Sequence, residues 1–354
     1  MSLLDDVSIV VTPNGYKAGE LYAVIPSNGD ADMDVTRATA ATRVDENGLV
    51  NYAEILGSEN IDLTTGSAIK PTDWGSATTS GISYLATTGT TSYYDTGFSV
   101  TSGLTYKLSF TLSDYTGSNN LGFSGTGGVS NNAKLEADGS YSEYFTATAT
   151  TELRLFGRST NTGVFSNVSV KEETRDNVPR IDYTGGGCPH ILAEPQRTNL
   201  FLQSEDFTSE WSTSDATITA NSTISPDGTQ NASTLTTTAS GGTVQESLSI
   251  SDGDIAFSLF VKKGSTDGVR LRIDASTDFN GYFDLTDGTI HSATGNAKIE
   301  PLDNDWYKIS VAASVTSFVK ASIYTTDGTT SYDNGTVFIW GAQLEEGSYA
   351  TSYI

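Results

Sequence analysis

Short runs in which apolar residues occupy every second position recur along most of the chain. Six clear examples are TYKLSFTL, ELRLFGR, DIAFSLFVKK, GVRLRIDAS, WYKISVAAS and TVFIWGAQLE. This period of two gives a strand one buried face, and helical periodicity is almost absent. Turn signals such as ADGS, SPDGT and YDNGT separate the runs. The pattern predicts an all-β fold of antiparallel β-sandwich or jelly-roll type.

The alternating runs also repeat in order. Residues 92–125 parallel residues 243–276, and each stretch has the form strand, turn, strand, turn, strand. We therefore predict two tandem antiparallel β-sandwich domains, residues 57–173 and 197–354. Residues 1–56 are predicted to form a small extended N-terminal base, completed by the linker 174–196, so that the first sandwich is inserted into the base.

Composition narrows the classes of function. The 354 residues exceed one ordinary sandwich, and the net charge of −24 argues against nucleic acid and against anionic membrane surfaces. No apolar run approaches the ~18–20 residues needed to span a membrane, so no membrane insertion is expected. The acidic start lacks the basic region of a secretory signal. Cys188 is the single cysteine, which excludes an intrachain disulfide.

The chain offers little for catalysis. Cys188 and His190 are close in sequence, as a nucleophile and its base are, but Pro189 separates them and no third orienting group is evident. HExxH, GxSxG, P-loop and CxxC motifs are absent. The 43 acidic residues leave glycoside hydrolysis by paired carboxylates open, although nearly all lie in turn-like contexts. The sequence predicts a protein that is not an enzyme.

Aromatic rings outside the core alternation are the candidates for stacking on sugars. They lie in turn-rich stretches or, in the adjacent pair Tyr93 and Tyr94, at positions where a strand points one ring outward. The candidate carbohydrate-binding residues are Trp74, Tyr94, Tyr115, Tyr282 and Tyr332. By contrast, Trp306 and Trp340 fall within strand runs and are predicted to fill the core of the second sandwich.

The Asp-rich loops suggest a structural Ca²⁺, because carboxylate and amide oxygens suit a hard cation. The candidate ligands are Asp278, Asn280 and Asp284, although no EF-hand spacing is present. Solvated loops explain the same residues without a metal.

Several long motifs resemble a segment found in virion proteins of tailed bacteriophages. They are DVTRATAATRVDENGLV (34–50), NVPRIDYTGGGCPHILAEPQRTNLFLQSEDF (177–207), SPDGTQNA (225–232) and FIWGAQLEEGSYATSYI (338–354). In such proteins the base and linker precede a jelly roll that is similar to carbohydrate-binding modules. The chain departs from this pattern in Ala193, where a second Leu is common, and in the inserted first sandwich.

The resemblance implies a structural component of the virion: a short tail fibre, a head fibre, or a capsid decoration or appendage. Such a protein is made in the host bacterial cytoplasm and displayed on the particle exterior. Its expected partners are capsid, portal or tail proteins and other copies of the chain, with a trimer favoured. Its sandwiches are expected to bind host or environmental glycans, with cell-surface polysaccharide and host attachment as one case. The alternatives are a purely stabilising capsid or tail component and an accessory module of a glycan-degrading depolymerase.

Overall fold

The computed structural model describes residues 15–22, 33–37, 40–85, 89–117, 121–124, 138–158, 161–185 and 189–354. Within these ranges the only helical elements are three 3₁₀ turns, Leu63–Thr65, Pro71–Asp73 and Asp303–Asp305. None of the helical segments described is long and apolar enough to cross a bilayer. The all-β prediction is confirmed, and the sheets are antiparallel.

The chain divides into two compact units. One, called here the inserted unit, comprises residues 54–176; the other, the main unit, comprises residues 1–53 and 177–354. The base and the second sandwich, which were expected as separate domains, thus belong to one unit. Residues 6–12, which the sequence suggested as a strand that pairs with other chains, lie outside the described residues, as does Cys188.

The base contributes five short strands to the main unit. They are β1 (Gly15–Lys17), β2 (Glu20–Tyr22), β3 (Met33–Asp34), β4 (Thr42–Val44) and β5 (Val50–Tyr52). The first three form one small sheet, and β4 and β5 form a hairpin. Arg37 joins the two chain segments of the main unit: it donates from Nη2 to the carbonyl of Ala53 at 3.0 Å and from Nε to that of Val178 at 3.1 Å.

The inserted unit is a two-sheet sandwich. Its strands are β6 (Ile55–Glu59), β7 (Ser67–Ala68), β8 (Ile82–Tyr84), β9 (Ser92–Val100), β10 (Thr105–Thr116), β11 (Leu121–Ser124), β12 (Gly139–Thr146), β13 (Thr151–Gly157) and β14 (Thr162–Thr174). One sheet has the order β12-β10-β14-β6, with β8 also on β14, and the other has the order β11-β13-β9-β7. The alternating positions of β10, from Tyr106 to Leu112, point into the core between them.

The main unit carries the larger sandwich. After the small pair β15 (Ile181–Asp182) and β16 (His190–Ile191), its strands are β17 (Ser212–Ser214), β18 (Ala216–Thr223), β19 (Ala232–Thr237), β20 (Thr243–Glu246), β21 (Gly253–Lys263), β22 (Gly268–Asp274), β23 (Phe279–Asp284), β24 (Thr289–Ala293), β25 (Asn296–Pro301), β26 (Trp306–Val315), β27 (Lys320–Thr326) and β28 (Thr336–Glu346). They form two six-stranded sheets, β17-β20-β27-β22-β23-β24 and β18-β19-β28-β21-β26-β25. Leu, Ile, Val and Phe side chains from both sheets fill the space between them.

A second apolar cluster lies on the outer face of the sheet that contains β28. Phe260, Trp306, Trp340 and Tyr353 pack there with Val50 of the base. The Trp340 ring lies 4.8 Å from that of Tyr353 and 5.1 Å from that of Phe260, between centroids. The prediction that Trp306 and Trp340 fill the core between the sheets is therefore wrong, although both are buried.

A β-bulge explains the position of Trp340. Ser258 and Phe260 of β21 are paired with Gln343 and Trp340 of β28, so β28 has one extra residue in this interval. Gly341 lies there with φ of +62°, a conformation that glycine adopts without strain. The extra residue shifts the alternation, and Trp340 points outward while Ala342 and Leu344 point inward.

The base and the segment around Tyr353, which are distant in sequence, together cover this outer face. The hydroxyl of Thr42 in the base donates to the carbonyl of Tyr353 at 2.5 Å, and the backbone NH of Val50 donates to the carbonyl of Pro226 at 2.9 Å. Arg180 of the linker donates to the carbonyl of Thr42 and to the carboxylate of Glu194, both at 2.8 Å from Nη2. We call this surface the covered face.

We predict that Trp340→Ala lowers the free energy of unfolding by about 3–5 kcal/mol, because it leaves a cavity under the base. Urea unfolding of the full chain, followed by circular dichroism, measures this. Leu202→Ala is the control: Leu202 is 80% exposed, and its loss should change stability by no more than about 0.5 kcal/mol. Equal effects of the two substitutions would show that the covered face does not stabilise the unit.

Candidate functional site

The other outer face of the main sandwich presents polar and aromatic side chains. On β22, Val269, Leu271 and Ile273 point into the core, so Arg270 and Arg272 point outward. The same alternation turns outward one set of residues from each neighbouring strand. With the two arginines, these define what we call the open face: Gln245, Asn280, Tyr282, Ser322 and Tyr324.

Arg270 lies at the centre of a group of three tyrosines. It is directly opposite Tyr282 on β23 and Tyr324 on β27. Its guanidinium carbon is 5.2 Å from the ring centroid of Tyr282, 5.0 Å from that of Tyr324 and 5.6 Å from that of Tyr332. These distances allow cation–π attraction to each ring.

Two neutral groups orient this guanidinium. Asn280 Oδ1 accepts from Arg270 Nε at 2.9 Å and from Nη2 at 2.6 Å. Nη1 donates to the hydroxyl of Tyr332. Tyr332 is 37% exposed, and its ring lies 5.4 Å from that of Tyr324. The result is a rigid platform with an exposed ring at its edge.

The neighbouring arginine has a different environment. Arg272 Nη2 pairs with Asp274 at 2.7 Å and with Asp278 at 2.5 Å. The hydroxyl of Ser322 donates to the same Asp274 at 3.0 Å, and Lys320 Nζ donates to Gln245 Oε1 at 2.6 Å. This end of the open face is thus a network of hydrogen bonds and ion pairs formed within the protein.

The loop between β27 and β28 positions Tyr332. Tyr332 forms an isolated bridge with Thr326 at the end of β27. The hydroxyl of Thr325 donates to the carbonyl of Asp333 at 2.6 Å, and Asp327 Oδ1 accepts from the backbone NH of Thr329 at 2.9 Å. These contacts fold the loop back over the open face.

Two of the candidate sugar-binding rings therefore come together. Tyr282 and Tyr332, which are far apart in sequence, flank the same guanidinium. Tyr282 lies within β23 itself, whereas the sequence placed it in a turn-rich stretch.

The other three candidates lie in the inserted unit, and the structure changes the interpretation of each. Trp74 and Tyr94 are both buried in the core; Trp74 Nε1 donates to Ser92 Oγ at 2.9 Å and the Tyr94 hydroxyl to the carbonyl of Leu63 at 2.5 Å. The expectation that these rings are exposed is wrong, and Tyr93 is the less buried member of its pair. Tyr115 is a half-buried residue of β10, not a loop residue.

The proposed calcium ligands do not converge. Asn280 and Asp284 lie four positions apart on the extended strand β23, about 13 Å along the chain, whereas Ca²⁺ binds its oxygens at ~2.3–2.6 Å. Asn280 Oδ1 is already bonded to Arg270, and Asp278 is paired with Arg272. The structure therefore does not bring these three residues together as one set of ligands, and calcium binding by them stays a prediction. No group of three or more His, Cys, Asp or Glu suited to a metal occurs in the part of the chain described; calcium elsewhere stays a prediction.

Sequence reasoning missed Arg270 and Tyr324. Alternation identifies both as outward-facing in GVRLRIDAS and FVKASIYTT. It does not show that β22 and β27, which are separated by more than forty residues along the chain, are paired so that Arg270 and Tyr324 are opposite. The available signal was an arginine at an outward position of a strand whose inward positions are all apolar.

Two carboxyl groups have a raised pKa, as catalytic acids often do. Burial, together with repulsion from Asp227, raises the pKa of Glu205 to about 7. Burial and the nearby Glu210 raise the pKa of Glu246 to about 7 as well. Glu205 is fixed by structural contacts, since it accepts from the Tyr353 hydroxyl at 3.0 Å and from Asn231 at 3.1 Å on the covered side. Glu246 points to the inner side of β20, away from the open face.

His190 has a carboxylate neighbour that the sequence did not reveal. Its Nε2 lies 3.6 Å from Oδ1 of Asp182. Asp182 is held by the backbone, because it accepts from the NH of Val44 at 3.0 Å and from the NH of Thr184 at 2.8 Å. These contacts join linker to base and account for the buried carboxylate.

Comparison with known proteins gives no family. No protein-family model matches the chain, and no curated protein matches its sequence. Among solved structures, the tandem CBM22-1–CBM22-2 domain of Paenibacillus barcinonensis Xyn10C is 10% identical, with 88% of this chain and 99% of that one covered and a TM-score of 0.28.

Two further structures contain CBM51 modules. The tandem modules of Sp3GH98, a family 98 glycoside hydrolase from Streptococcus pneumoniae, are 10% identical over 89% of this chain and 98% of that one, with a TM-score of 0.23. The M60 catalytic domain of Clostridium perfringens ZmpB with its CBM51-1 and CBM51-2 domains is 8% identical over 83% and 37%, also with a TM-score of 0.23. At TM-scores this low, these likenesses say nothing about what the chain binds.

The raised pKa of Glu205 predicts a pH-dependent stability. Between its unfolded pKa, near 4.5, and its folded pKa, about 7, the folded protein holds the proton more tightly. The free energy of unfolding should therefore fall as pH rises through this window, by on the order of 3 kcal/mol. Glu205→Gln should reduce the fall in urea titrations at several pH values, while Glu300→Gln, at a more exposed carboxylate, should leave it unchanged. An identical pH profile for Glu205→Gln and the parent would contradict the assignment.

Proposed function

We propose that this protein binds glycan chains on the open face of its main sandwich and acts as a non-catalytic component of a bacteriophage particle. The observation that carries the binding proposal is the group formed by Tyr282, Tyr332 and Arg270. It combines exposed ring surface with oriented N–H donors, which are the two features that recognition of a sugar requires.

The contrast between the two outer faces supports this choice. On the covered face, the aromatic rings are buried under the base and cannot meet a ligand. On the open face, Tyr332 is 37% exposed and Tyr282 is half-buried, so both present ring surface to solvent. A sheet face of this kind is broad enough for an extended polymer, and the polar residues along β22 and β27 supply hydrogen-bonding groups for hydroxyls.

The virion role rests on the sequence resemblance. The motifs at residues 34–50, 177–207, 225–232 and 338–354 are similar to those of virion proteins of tailed phages. We further propose that the chain assembles as a homo-oligomer, with a trimer favoured, and docks onto a capsid, portal or tail protein on the particle exterior. In this arrangement the base attaches the protein and the open face meets the cell surface.

Glycan binding is tested with Tyr282→Ala and Tyr332→Ala in the full chain. Each should weaken binding about tenfold or more, because each removes a stacking surface. A glycan array identifies a ligand for the parent protein, and calorimetry then measures each variant. Tyr349→Ala is the matched control: Tyr349 is also exposed and also has an arginine, Arg197, beside its ring at 5.8 Å.

Loss of binding in all three variants to the same degree would point to a general effect on the fold and would contradict the assignment to the open face. Failure of the parent to bind any glycan would reject the function itself and favour the purely stabilising role.

The virion role is tested on particles of the phage that encodes the chain. We expect the protein in purified particles, in a fixed copy number per particle, and accessible to antibody on the exterior. Mass spectrometry and immunogold electron microscopy measure these three properties. Absence from purified particles, or labelling only after the particles are disrupted, would contradict the proposal.

A further inference from the structure

Arg270 has no carboxylate partner among the residues that the structure describes. Its three hydrogen bonds go to an amide oxygen and a phenol, and it forms no salt bridge with any carboxylate in the described part of the chain. Arg272, one pleat away on the same strand, pairs with both Asp274 and Asp278. In a chain with 43 acidic and 19 basic residues, a carboxylate partner would be easy to supply.

This charge is also substantially withdrawn from water. Arg270 is 7% exposed and Tyr324 beside it is 8% exposed. A charge held in a low-dielectric setting is unfavourable unless it is paired. Attraction to the three rings offsets part of this cost. The part of the burial cost that the rings do not offset favours binding of an anion.

The guanidinium has donors left for that anion. Of its five N–H groups, three are used in the hydrogen bonds to Asn280 and Tyr332, which leaves two. The rings lie against the guanidinium, and Asn280 fixes its Nε edge. A planar fork oriented in this way matches the two oxygens of a carboxylate, which forms stronger hydrogen bonds than a neutral hydroxyl does.

The overall charge of −24 does not prevent this contact. At physiological salt the Debye length is about 8 Å, so distant acidic groups are screened. Of the acidic side chains on this face, Asp274 and Asp278 are paired with Arg272, and Asp284 Oδ1 accepts from the backbone NH of Thr286 at 2.7 Å. Contacts at the guanidinium therefore dominate.

We propose that the open face selects acidic glycans, with Arg270 pairing with the carboxylate of a uronic-acid-type sugar that lies between the rings of Tyr282 and Tyr332. This inference rests on the proposed glycan binding and adds to it the chemical class of the ligand. A neutral sugar would leave the guanidinium unpaired.

The test compares acidic polysaccharides with their own neutral forms. Polygalacturonate, alginate and hyaluronan are each offered to the full chain before and after chemical reduction of the carboxyl groups to alcohols. Binding of at least one acidic form is expected, with a loss of about tenfold or more on reduction. Sulfated neutral glycans form a further arm, since sulfate supplies the same negative charge with a different geometry.

Arg270→Gln should lose the preference for the acidic form, and Arg270→Lys, which keeps the charge without the fork, should retain part of it. Arg197→Gln, outside the open face but also beside a tyrosine ring, is the matched control and should preserve the preference. Circular dichroism and thermal unfolding establish that each variant is folded; if Arg270→Gln fails to fold, Tyr332→Phe, which removes the ring hydroxyl that Arg270 contacts and keeps the ring, is expected to alter the acid-to-neutral ratio instead.

The possible results distinguish failure of the proposed selection of acidic glycans from failure of the proposed glycan binding itself. Equal binding of acidic and reduced forms, or an unchanged preference in Arg270→Gln, would overturn the acidic selection while glycan binding stands. Binding of sulfated but not carboxylated sugars would overturn the assignment to a carboxylate. Binding of neutral glycans alone would also overturn it, whereas no binding to any glycan would remove the proposed function itself.

Discussion

The burial of aromatic rings on one outer face is the interaction on which the rest of the main unit depends. A two-sheet sandwich buries its inner faces by itself, but Phe260, Trp306 and Trp340 point away from that core. Removing each such ring from water contributes about 1.5–3 kcal/mol, so the face must be covered. The cover comes from the base and from Tyr353 near the end of the chain, segments about three hundred residues apart in sequence. This requirement makes base and sandwich one unit, in which the opposite outer face of the sandwich is not covered by the described part of the base.

The same constraint gives a physical meaning to the phage-like motif. Its residues are structural: Arg180 bonds to the base and to Glu194, Asp182 accepts from the base, and Asn199 Oδ1 accepts from the backbone NH of Leu344 at 3.0 Å. The residues of the motif therefore connect the sandwich to the base. The motif contributes no residue to the open face, so the motif and the proposed binding surface are separate parts of the main unit.

Much of the fold follows from the sequence because the alternation of apolar residues is local information. It predicted the strands, the two sandwiches and the insertion. It failed where one residue broke the period: the bulge at Gly341 turns Trp340 outward. It failed for Tyr94 because either member of an adjacent pair can face the core. The site was harder still, since alternation assigns Arg270 to the outer face but cannot reveal that Tyr324 lies opposite it. Register between distant strands depends on packing across the whole sheet.

Polar side chains on the two outer faces differ in how completely the protein satisfies them. On the covered face, the buried carboxylate of Glu345 accepts from Gln343 at 2.9 Å and from the backbone NH and hydroxyl of Thr351, each at 2.7 Å. Such a network serves the fold, because every strong acceptor has its donor within the chain. Arg272 on the open face has its charge matched by the carboxylates of Asp274 and Asp278, although its Nε is buried without a hydrogen-bond partner. Arg270 is oriented by Asn280 and Tyr332, but its charge has no carboxylate partner in the described residues and two of its N–H donors are unused. Stability of the fold does not account for an arginine that is held in this way. The lack of a carboxylate partner, more than exposure or the number of aromatic residues, is the physical reason for the proposal that a ligand binds at Arg270.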